Sequence, residues 1–171
     1  EDVIKFKKLV EEDDSEFKNL KYTINKENLV DTTFSKSNAY SRAFVVLLAN
    51  QRPKNLTNGV KVDSGEALSC FNKKEYHHVF PKEFLNKKGF KKEEIDSLCN
   101  FCILPSDSNK KILNKSPSDY FFSMIPEEQF EEILQSNLLP IKKSLYSDND
   151  FNNFLKERSN KIIESLERQL L

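Results

Sequence analysis

The sequence predicts an α+β chain that is mostly α, with a small two-stranded element embedded in flanking helices. Three observations predict it. Only three of the 171 residues are Gly, while 32% are charged and 37% apolar, fourteen of them Phe, a balance suited to helices around a core. Apolar residues recur at helical spacing over most of the length. Two short runs, "EYHHVF" (75–80) and "FCILP" (101–105), break that period and read as strands. The length fits one domain, or one domain with a helical extension.

The elements follow in order. In residues 2–10, Val3, Phe6, Leu9 and Val10 fall at helical spacing, and the acidic linker "EEDDSE" comes next. "NKENLVDTTF" (25–34) reads as irregular. Ser35 or Ser37 caps a helix over about 37–51, whose "AYSRAFVVLLANQ" is apolar on almost every side and so is expected to be buried. Arg42 inside it then needs a carboxylate, a carbonyl or a phosphate as partner. "RPKNLTNG" is a loop, "SGEALSCF" a short helix, and the first strand sets Tyr76 and His78 on one face, His77 and Val79 on the other. Pro81 opens a helix that Gly89 stops, and "KKEEIDSLC" adds a further turn or two. After the second strand Ser106 caps a helix through "DSNKKILN", and Pro117 and Pro126 start two more. The final helix, about 150–170, lines up Phe151, Phe154, Leu155, Ile162, Ile163, Leu166 and Leu170 as a face packed on the domain, with a dimer seam as the alternative. The chain divides into a helical N-terminal part (1–72), a strand–strand–helix core (73–125) and C-terminal helices packed on it (126–171).

Charge and cysteine usage narrow the function classes. Lys plus Arg and Asp plus Glu each number 27, but residues 73–115 carry ten lysines against six acids. That segment, which contains both histidines, is where a polyanion would feel a local excess. The longest apolar run, "AFVVLLA" (43–49), falls far short of the ~20 residues of a membrane span. Three cysteines, an odd number, argue against a disulfide framework and suit a reducing compartment. With no initiator Met and no signal pattern, the chain reads as a piece of a longer cytoplasmic protein.

The two histidines, His77 and His78, are adjacent; twenty-one residues separate His78 from Asn100, and eight more separate Asn100 from Asn109. With these positions, the stretch "HHVFPKEFL…EIDSLCNFCILPSDSNKKILNKSPSDYF" resembles the ββα-metal nuclease motif of the HNH family. It most resembles the C-terminal nuclease domain of GmrSD-type, modification-dependent restriction and phage-defence proteins. It is also similar to the HNH nuclease of CRISPR effector proteins, which shares the strand ending in a His-Ile-Val/Phe-Pro run and two Asn nine positions apart. The match covers about residues 75–121, with a weaker echo over Ser41 to Gly65.

The resemblance implies a bacterial, metal-dependent endonuclease cutting DNA phosphodiester bonds, the effector part of a larger anti-phage or restriction protein whose N-terminal part is nucleotide-dependent or senses modification. It makes His78 the general base, a role that suits an imidazole titrating near ~6.5. His77, where many relatives have Asp, and Asn109 become the metal ligands, and Asn100 fixes the loop between the strands and orients the base. A divalent ion would act as Lewis acid on the scissile phosphate. With an imidazole and an amide as its donors, the site lacks a protein carboxylate. Mg²⁺ would then lean on substrate oxygens and water, whereas imidazole suits Mn²⁺, Ni²⁺ or Zn²⁺ better. Lys110 and Lys115 are expected at a phosphate backbone and Lys82 close to the base, while Lys87, Lys88, Lys91 and Lys92 read as solvated.

Two other readings stand beside this one. A non-catalytic DNA- or protein-binding module could retain the same shape, and "CNFC" (Cys99 to Cys102) with the histidines could be drawn as a structural zinc site. Cys102 lies inside an apolar strand, which favours buried thiols acting as small hydrophobes.

Overall fold

Helix α1 (Lys26–Asp31) falls in the segment expected to be irregular. Its six residues gain order from packing: Leu29 and Val30 lean on the core, and the strand-like stretch after the helix bonds to a distant turn. Helix α2 (Ala39–Asn50) is capped by neither expected serine. The Asn38 side chain accepts from the Tyr40 amide at 2.8 Å, while the Ser35 and Ser37 hydroxyls bond each other. The helix buries Phe44, Val45, Leu47, Leu48 and Ala49, but Tyr40, Arg42 and Val46 are exposed, so Arg42 has no need of a buried partner. A computed structural model supplies these positions and describes residues 26–35, 37–63, 65, 68 and 76–170. The helix expected over 2–10, the acidic linker and nearly all of the short helix over 64–71 lie outside them.

The chain continues through strand β1 (Tyr76–His78), α3 (Lys82–Lys87), α4 (Lys92–Ile95), a 3₁₀ turn (Leu98–Asn100) and β2 (Phe101–Ile103). Pro81 stands at the N-cap of α3, and Gly89, just past its end, adopts φ 87°, a conformation that costs a residue without Cβ little. Then come α5 (Ser106–Ile112), α6 (Pro117–Met124), a second 3₁₀ turn (Glu127–Gln129), α7 (Phe130–Ser136), α8 (Ser144–Ser147) and α9 (Phe151–Leu170). Pro105, not Ser106, occupies the N-cap of α5, with no side-chain cap bond; Ser116 does cap α6, accepting from the Asp119 amide. The described fold is thus mostly helical around one two-stranded antiparallel sheet.

One continuous core runs from α2 to α9. Phe80 sits within it, its ring 5.2 Å from Phe151 and 4.7 Å from Phe154, and Tyr146 stacks on Phe121 at 3.8 Å. The buried face of α9 contains Phe151, Phe154, Leu155, Ile162 and Ile163, packed within the chain, and includes a residue the apolar stripe did not suggest. Arg158 is 0% exposed. Its guanidinium donates to the carbonyls of Cys99 (2.8 Å) and Asn137 (3.3 Å) and lies between the rings of Phe44 and Phe154. Burial lowers its pKa from the ordinary value. Among the described residues no helix is long and apolar enough to cross a membrane.

Candidate functional site

Strand alternation sets the two histidines apart. The register pairs His78 with Phe101 and His77 with Cys102, and directly opposed side chains share a face. His78 therefore lies against Phe101, ring centroids 4.3 Å apart, while His77 stands on the side of Cys102. Both nonetheless border one cleft of about 250 Å³ at the end of the hairpin, shared with Lys82, Asn109, Asn114 and Tyr120.

The turn after β1 is held by Asn100, which is fully buried. Its Oδ1 accepts from the Phe80 amide at 2.9 Å, and its Nδ2 donates to the carbonyls of Phe80 (3.1 Å) and Ile95 (3.0 Å). The Asn100 carbonyl accepts from the Val79 amide at 2.7 Å, and the Tyr120 hydroxyl donates to the Val79 carbonyl at 2.6 Å. Four of these bonds tie Val79 and Phe80, the two residues that follow His78, to the elements around them, and the fifth anchors the Asn100 side-chain amide to Ile95. Asn100 is thus beneath the cleft and not in it.

His78 is largely buried, its side chain 19% exposed. Its Nε2 lies 3.0 Å from Oδ1 of Asp96, whose other oxygen is 4.0 Å from the Lys82 ammonium. Burial holds the imidazole below its ordinary value near 6.5; the hydrogen bond and charge of Asp96 push the other way, and Lys82 adds to the lowering. The ring is therefore neutral around neutrality, with one N–H and one lone pair.

Asn109 reaches the cleft because α5 begins directly after β2 and its first turns face the hairpin. The loop after α2 steadies that helix: Thr57 and Ser108 share a hydroxyl bond of 2.8 Å, and Leu56 is buried at the cleft floor. Lys110 and Lys115 point elsewhere. Lys110 lies 3.9 Å from Asp107, and Lys115 donates to the Lys111 carbonyl, both exposed and neither bordering the cleft. Lys82 does border it.

A cation fits this cleft only as an open site. His77 and Asn109 offer one imidazole nitrogen and one amide oxygen, both neutral, and among the described residues no three His, Cys, Asp or Glu stand together to hold an ion. Such a pair leaves most coordination positions to water and substrate oxygens. Cys99 and Cys102 are buried and their thiols are pushed up to about 11 by desolvation, so they stay protonated. The Cys102 thiol donates to the His77 carbonyl at 3.5 Å.

Asp96 and Tyr120 are the neighbours that the sequence reading did not single out. Asp96 is eighteen residues from His78 and sits at the C-terminal end of α4. Its only sequence signal is its place four residues before Asn100.

The sequence is 32% identical over 122 residues to an uncharacterized protein of Methanocaldococcus jannaschii, a match covering 57% of this chain and 21% of that protein. The chain thus spans about a fifth of the length of the curated relative it matches. No protein-family model and no solved structure matches it.

Proposed function

We propose that this chain is a metal-dependent endonuclease domain of the HNH, ββα-metal type that hydrolyses DNA phosphodiester bonds. The observation that carries the reading is the convergence of His77, His78 and Asn109 on one cleft, beside a hairpin turn that Asn100 locks from below. The lysine excess of residues 73–115 supports a polyanionic substrate, and Lys82 at the cleft edge is placed to meet a phosphate.

In this mechanism His78 takes the proton of the attacking water, for which its neutral ring is suited. Asn100 keeps the backbone after His78 in place and so aims the ring. His77 and Asn109 would hold the divalent ion, which supplies Lewis-acid stabilisation of the charge on the phosphate and the leaving oxygen. Phe101 covers one side of the imidazole, its ring centroid 4.3 Å away. The wider assignment, an effector within a larger bacterial defence protein with a sensing or nucleotide-dependent part, rests on the resemblance.

Plasmid cleavage at low salt with Mg²⁺, Mn²⁺, Ni²⁺ or EDTA tests the proposal. Metal-dependent loss of supercoiled DNA should fall by about 10²–10⁴-fold in His78→Ala, the usual contribution of a general base. Equal cleavage by the variant would expose a contaminant. A folded chain that binds DNA but cleaves it with none of these metals would instead identify a binding module of the same shape.

A further inference from the structure

We propose that Asp96 is a positioning residue for His78: its carboxylate accepts the Nε2 proton, fixes the Nε2–H tautomer and so makes Nδ1 the nitrogen that takes the proton from water. The inference rests on the nuclease reading above and adds to it the residue that decides which nitrogen is the base. A carboxylate only accepts hydrogen bonds, whereas a neutral imidazole has one donor and one acceptor nitrogen. With Oδ1 of Asp96 at 3.0 Å, the proton of the neutral ring belongs on Nε2, and Nδ1 keeps the lone pair. Among the described residues Nδ1 makes no hydrogen bond, and His78 is one of the residues that line the cleft.

The carboxylate is held in advance of any substrate. The Asp96 amide donates to the Lys92 carbonyl at 2.8 Å, and its own carbonyl accepts from the Phe34 amide at 2.8 Å. On the next residues, Thr33 bridges to Ser97, and the Leu98 amide donates to the Thr32 carbonyl at 2.7 Å. The stretch after α1 thus forms a strap across residues 96–98. The same strap braces the ring from the other side, because Phe34 stacks on Phe101 at 4.2 Å and Phe101 lies against His78. The Asp96 side chain is 15% exposed, so water screens the bond little.

The step balances. An O–H bond of water breaks and an N–H bond forms at Nδ1, while the water oxygen's electron pair forms the new bond to phosphorus. The leaving oxygen departs with the pair of the broken P–O bond. The imidazolium so formed donates Nε2–H to a full negative charge, which is stronger than the same bond from the neutral ring.

The test uses the full chain and two readouts. Nitrogen-15 NMR of the two imidazoles at pH 8, assigned with His78→Ala, should show His78 as the Nε2–H tautomer. Asp96→Asn, which alters no backbone bond, should shift that tautomer towards Nδ1–H and lower kcat by about 10²-fold or more with KM changed less than about threefold. A wild-type ring with its proton on Nδ1, a tautomer unmoved by Asp96→Asn, or an unchanged kcat overturns the proposal while leaving the nuclease reading intact. The wild-type spectrum decides the tautomer even where a variant fails to fold. Tautomer control by Asp96 in a chain that cleaves no DNA with any metal overturns the catalytic role for a different reason, by sinking the nuclease reading beneath it.

Discussion

Asn100→Ala removes a side chain that is wholly buried and makes three hydrogen bonds, so its effect on stability can be worked out from the contacts. The Phe80 amide loses its acceptor, and the carbonyls of Phe80 and Ile95 lose a donor. A buried polar group left without a partner costs about 1–3 kcal/mol, and carbonyls tolerate the loss better than amides. The sum comes to about 3–5 kcal/mol, a large share of the ~5–15 kcal/mol that holds a typical domain together. With a urea slope of about 2 kcal/mol/M, the unfolding midpoint followed by far-UV circular dichroism should drop by roughly 2 M. Asn100→Asp should lose more at pH 7, because its second oxygen would face two carbonyls. That carboxyl's pKa would be raised in the folded state, so the relative stability of Asn100→Asp should improve below pH ~4 and worsen as pH rises through the folded value. A loss below about 1 kcal/mol for Asn100→Ala would refute the account of the turn as an Asn-locked structure.

Other outcomes follow from the same geometry. Cleavage should be faster with Mn²⁺ than with Mg²⁺, since an imidazole and an amide suit the softer ion; equal or better rates with Mg²⁺ would count against His77 as a ligand. The thiols of Cys99 and Cys102, raised from 9.0 to about 11 by burial, stabilise the fold fully below pH 9, and that stabilisation is lost as pH rises through 11. Urea midpoints measured from pH 8 to 11 should fall by an amount reflecting roughly 2–3 kcal/mol per thiol, and the Cys99→Ala, Cys102→Ala double variant should flatten part of that slope. Tyr120 and Tyr146, also raised by burial, supply the remainder. Lys82→Ala should weaken DNA binding and reduce the salt slope by about one, whereas Lys110→Ala and Lys115→Ala should change it less, as judged by fluorescence anisotropy at several salt concentrations.

The parts of the fold that were legible in the sequence are those carried by local pattern. The strands showed through alternation and the prolines that end them, and the starts at Pro117 and Pro126 marked α6 and the turn before α7. Helix α1 was hidden because its "KENLVD" has weak periodicity and takes its order from distant packing. Burial around α2 was overstated because its apolar residues exceed what the core can cover, leaving Tyr40 and Val46 in solvent. His77, His78, Asn100 and Asn109 stand out through the family resemblance that their order and spacing carry, but Asp96 does not, since its approach to His78 depends on the strap of residues 32–34 folding across the turn. Arg158 reads as an ordinary surface charge until its two carbonyl acceptors are seen.

That arginine has a consequence for where the chain can be cut. Its bond to the Cys99 carbonyl reaches across 59 positions, and Cys99 is the residue immediately before Asn100. The hairpin and α5 are therefore not a portable cassette. Residues 73–125 excised alone, or grafted onto another scaffold, would carry all four His and Asn positions yet leave the carbonyl beside the lock unsupported. The last helix is a structural part of the hairpin, written into the chain far downstream of it.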